Sequence, residues 1–83
     1  MAVDLSSALR RVVAAARSAG LHEGADEFEL RCFAAVTTSS EWLGEVGLAI
    51  KGFLKRERGH MPEALEQRLH QCLAEVRKTW PHL

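Results

Sequence analysis

Two long amphipathic stretches joined by only three residues constrain this chain more than any other feature. From Ser40 to Arg58, Trp42, Leu43, Val46, Ala49, Ile50, Phe53 and Leu54 recur at spacings of three and four. That is the rhythm of a helix with one apolar face. After Gly59, His60 and Met61, a second stretch places Leu65, Leu69, Cys72, Leu73, Val76 and Trp80 on a narrow stripe close to a coiled-coil seam. Pro62 suits the first turn of that helix, where a missing N–H costs nothing, and Pro81 ends it. Helices joined so briefly turn back on each other. The spacing therefore predicts an antiparallel C-terminal helical hairpin, with helices over 40–58 and 62–80.

Upstream, Leu5, Leu9, Val12, Val13 and Ala16 fall on one side of a helical wheel. Asp4 or Ser6 can cap the start, and Gly20 suits the left-handed position after the end. This predicts a helix over 4–19. The segment 26–36 is ambiguous, because Glu27 to Cys32 alternates polar and apolar as a strand does. Asp26 and Glu29 have capping-box spacing, Ala34 and Ala35 favour helix, and no second strand-like segment exists for pairing. Helix is the expectation, with an intermolecular strand as the alternative. The expected fold is all-α: three to four helices in a single small domain over 1–83.

A chain of 83 residues hides only about 60–65% of the surface its unfolded form exposes. Small domains escape this limit through disulfides, metals, regular packing or oligomerisation. Two cysteines 40 positions apart make no disulfide framework. A homodimer is the expected remedy, since the hairpin's apolar ridge exceeds what two short helices obviously cover.

Eleven basic and eleven acidic residues cancel, which argues against a strongly cationic nucleic-acid binder. No apolar run approaches the length of a membrane span. The N-terminal twenty residues share the Ala, Ser and Arg richness of organellar leaders, but read more simply as an amphipathic helix of the domain. The arginines on that helix's polar side raise membrane-surface binding, yet no aromatic residue anchors it, so no membrane partner is expected. A cytoplasmic location is expected.

No catalytic residues, cofactor or metal site are expected. Phosphate loops, nucleophile elbows and HExxH spacing are missing from the sequence. His70 and Cys72, two apart on a helix, diverge by about 200° and cannot share a metal. Cys32 and Cys72 sit on apolar faces as small hydrophobes.

The informative oddity lies within 40–58. Gly44, Leu48 and Gly52 are spaced four apart opposite the main apolar face, beside Lys51 and Lys55. Each interior glycine costs a helix about 1 kcal/mol relative to alanine. A second contact surface explains them, with Trp42 and Phe28 as aromatic anchors; coverage by another helix of the same chain is the alternative. The expected function is non-enzymatic protein binding through Phe28, Trp42, Gly44, Leu48 and Gly52, by helix-in-groove docking. A small homodimeric regulator of anti-activator or sequestering type, or a chaperone-like adaptor, fits. The rival is a small DNA-binding transcriptional regulator using Lys51, Lys55, Arg56 and Arg58 at the basic end of that helix.

Overall fold

Asp4 starts the first helix. Its carboxylate accepts hydrogen bonds from the Ser6 amide (3.2 Å) and the Ser7 hydroxyl (2.7 Å), as a short acidic side chain does at an N-cap. The chain leaves that helix through Gly20, whose φ of +83° is left-handed. There Gly20 N–H bonds to the Arg17 carbonyl and Leu21 N–H to the Ala16 carbonyl, the paired bonds of a Schellman ending.

These contacts come from a computed structural model, which describes residues 4–33 and 39–83. Among the described residues the chain is all-helical, with α1 (Leu5–Ser18), α2 (His22–Phe33), α3 (Ser39–Arg56) and α4 (Glu63–Arg77), and no strand. The end of the second segment, at 34–36, lies outside the described residues.

The second segment differs from expectation at its start. It is a helix beginning at His22 rather than Asp26, and it runs through Gly24. The reason is tertiary: a Cβ on Gly24 would lie 3.0 Å from the Glu57 carboxylate and 3.1 Å from the Phe53 ring. The bare backbone lets α2 approach α3, and that packing offsets the glycine penalty. Asp26 is accordingly no cap. It sits one turn inside the helix and takes the Arg17 guanidinium at 2.6 Å, with Glu29 taking the other arm at 3.2 Å. Asp26 first, then Glu29, raises the Arg17 pKa.

After α3, Gly59 (φ +85°) occupies the third position of a turn closed by the His60 N–H and the Glu57 carbonyl. Such a turn requires left-handed backbone there. The final helix ends sooner than its apolar stripe. It stops at Arg77, and Trp80 lies past its end with its N–H bonded to the Val76 carbonyl.

Each helix packs on the next, and α4 closes on α1, so four helices surround one core in a compact arrangement. The radius of gyration is 11.8 Å, about the value a closely packed chain of this length takes. Val46, Ile50 and Phe53 meet Leu65, Leu69, Leu73 and Val76 inside, with α1 and α2 adding Leu9, Val12, Phe28 and Cys32. The apolar ridge of the last two helices is therefore sheltered mostly within one copy. No described polar or charged residue is buried.

Candidate functional site

The residues expected to meet a partner divide between core and surface. Phe28 leaves only 2% of its surface exposed, and its ring packs edge-on against Phe53 at 5.7 Å and 76°. That is core aromatic geometry, so Phe28 is not offered to a partner in this conformation. Trp42 is half-buried, and its indole N–H donates to the Cys32 carbonyl at 2.7 Å, tying α3 to the end of α2.

Gly44, Leu48 and Gly52 do line the outer face of α3. Leu48 is 47% exposed, because on a 100° wheel it points about 170° away from the mean direction of Val46, Ile50 and Phe53. The glycines on either side are each approached by one neighbouring side chain. A Cβ on Gly44 would lie 3.7 Å from the Trp80 ring, and one on Gly52 would lie 3.4 Å from the Arg31 guanidinium.

Trp80 is the residue that sequence reasoning misplaced. Read as the last member of the α4 seam, it instead folds back over α3, where its indole N–H donates to the Ser40 carbonyl at 2.7 Å. It keeps 40% of its surface exposed. Its signal in the sequence was Pro81, which stops a helix at or just before the preceding residue. A third exposed apolar side chain, Leu30 at 64%, stands on the outer side of α2. Gly47 is a point of close approach: a Cβ there would meet Leu83 Cδ1 at 2.5 Å and Val76 Cγ1 at 3.0 Å.

The four cations proposed for the rival reading are not equivalent. Arg56 bonds to Glu27 and lies 3.3 Å from Glu23, with Glu57 at 3.5 Å. Lys51, Lys55 and Arg58 are exposed and make no ion pair among the described residues. On α1, the Arg10 guanidinium lies 4.4 Å from the centre of the Phe33 ring, a cation–π contact.

Two concavities deserve description. Between α1 and α4 runs an apolar groove of about 410 Å³, floored by Leu5, Ala8 and Cys72 and rimmed by Arg11, Arg68 and Glu75. A smaller crease of about 170 Å³ lies between α2 and α3, lined by Gly24, Gly52, Arg31 and Arg56, with the Arg31 guanidinium beside Gly52. Cys72 faces the first and Cys32 the core. Burial pushes the Cys32 thiol up to about 12 and raises that of Cys72 as well, outweighing the opposing pull of Arg31 and Arg68, the direction expected of thiols in apolar surroundings. Among the described residues no group of three or more His, Cys, Asp or Glu converges as a metal site. No described helix is long and apolar enough to cross a membrane.

No family model, curated protein or solved structure matches the chain. What can be said of its work comes from its own surface.

Proposed function

We propose that this protein is a non-enzymatic helical interaction module that docks another protein molecule on the outer face of α3. The observation that carries the reading is Leu48, a large apolar side chain left 47% exposed between two glycines, with the half-uncovered Trp80 ring alongside. Exposed leucines are common singly; one flanked on its own face by residues without side chains is a platform for a second helix. A helical partner resting on such a face buries Leu48 and the remaining Trp80 surface together, and aromatic anchors of this kind carry much of an interface's energy. The α3–α4 pair acts as an antiparallel hairpin in this reading, which the Trp80–Ser40 bond supports by joining the region past α4 to the start of α3. The biological role is that of a small cytoplasmic regulator, of anti-activator or sequestering type, or a chaperone-like adaptor, working as a homodimer.

A photo-reactive amino acid at position 48 tests the reading in cells. Discrete protein adducts from position 48, and none from the exposed control position Ala14, are expected. Equal labelling from both positions would refute it.

The DNA-binding alternative has weaker support. The net charge is zero, and Arg56 is already held by Glu23 and Glu27. It requires binding that weakens steeply with salt and disappears with Lys55→Glu and Arg56→Glu together.

A further inference from the structure

The outer face of α3 is symmetric about Leu48 in size and antisymmetric in charge. Three, four and seven residues before Leu48 stand Glu45, Gly44 and Glu41; three, four and seven residues after it stand Lys51, Gly52 and Lys55. On a 100° wheel all six lie within about 60° of Leu48, so they share its side of the helix. We infer that this face is built to receive a second copy of itself: two α3 helices crossing antiparallel, with a two-fold axis passing between their Leu48 side chains.

This rests on the reading of the α3 face as a docking surface and names its occupant. The argument is charge complementarity under one particular symmetry. In a two-fold antiparallel pair, the residue n positions before Leu48 in one copy faces the residue n positions after it in the other. Every glutamate then faces a lysine, every glycine a glycine, and Leu48 its own counterpart. A parallel pairing sets Glu against Glu and Lys against Lys, so the same residues select one orientation and reject the other.

The helix dipole accounts for acids near the start of α3 and bases near its end. It asks for neither glycines nor an exposed leucine at the centre of symmetry. Within one chain the arrangement even has a cost, because Glu41 and Glu45, like Lys51 and Lys55, are like charges four apart on a helix. Glu45, Lys51 and Lys55 make no ion pair among the described residues, in contrast to Arg17 and Arg56 nearby. Gly52 is exposed, with only the Arg31 guanidinium at its edge, and the Trp80 ring over Gly44 borders the contact on the α4 side. The pairing leaves the groove between α1 and α4 uncovered on each copy, since those elements do not contribute to the outer face of α3.

Sedimentation of the purified full chain, charge reversal and a symmetric cross-link test the inference together. The native chain should form dimers that weaken at least tenfold as salt rises from low to several hundred millimolar, since exposed ion pairs are screened. Glu41→Lys with Glu45→Lys, and separately Lys51→Glu with Lys55→Glu, should each be monomeric and helical alone. Mixed in equal amounts, the two should dimerise. Leu48→Cys should oxidise to a disulfide dimer, because the axis places the two introduced thiols opposite each other, while Leu30→Cys should not. A native chain that stays monomeric at high concentration, a mixture that fails to recover the dimer, or equal cross-linking from positions 30 and 48 would overturn the inference. Should one charge variant fail to fold by circular dichroism, the Leu48→Cys comparison still decides. Cross-linking at position 48 to other proteins with no self-association would sink this inference and leave the docking reading standing. A dimer indifferent to Leu48→Glu would sink it too, by locating self-association elsewhere.

Discussion

Phe28→Ala separates a core residue from a binding anchor by magnitude alone. The ring is almost fully buried and stands edge-on to Phe53, so truncation removes its transfer free energy and leaves a cavity, together about 3–5 kcal/mol. At about 0.05–0.15 kcal/mol per residue, a chain of 83 residues has a total stability of about 4–12 kcal/mol. The substitution therefore consumes about a quarter of that stability or more, and lowers the midpoint of thermal unfolding by at least about 12 °C. Urea unfolding followed by far-ultraviolet circular dichroism measures it, with Phe28→Leu as the graded control, expected to cost less than half as much. A loss below about 0.5 kcal/mol, the scale of surface substitutions, would refute the placement of Phe28 in the core. If partner docking disappeared at the same time, the anchor role read from the sequence would be restored.

Gly47→Ala sets helix propensity, worth about 1 kcal/mol in favour of alanine, against overpacking of Leu83 and Val76 that costs about 1–3 kcal/mol. Net destabilisation is expected, and it should shrink when Leu83 is removed; a stabilised single variant would show that the C-terminal residue yields freely. Both thiols should resist an aromatic disulfide reagent at pH 8 in the native state and react only on unfolding, since burial keeps them protonated. The same raised values mean that stability is present below about pH 9 and declines as pH climbs through the folded Cys32 value of about 12; stability unchanged over that range would contradict it. Asp4, whose carboxylate accepts from Ser7 and Ser6, titrates below its ordinary 3.8. Its contribution to the start of α1 is therefore present above that value and lost as pH falls through the lowered one, which the chemical shifts of Asp4 and the Ser6 amide would follow.

Some of this protein was settled residue by residue along the chain. The apolar rhythms around Val12, Ile50 and Leu69 set the inward face of three helices, because a 3.6-residue period acts within a single element and needs no neighbour. Asp4 and Gly20 bounded α1 where expected, since caps and left-handed turns are decided by a few adjacent residues, whereas α3 stopped at Arg56, short of the expected Arg58. The opposition of Leu48 to the main face of α3 was legible for the same reason. Other features waited on tertiary contacts. Gly24 lies inside α2 only because Phe53 and Glu57 press against its bare backbone. Phe28 is inside and Trp80 outside because of how the ring of helices closes and how Pro81 turns the chain back. A wheel tells which side of a helix is apolar; it does not tell which neighbour arrives to cover it. Leu48 was left in the open by the packing of α4 onto α1 and of α2 onto α3, a decision made by three-dimensional closure and not by any local run of residues.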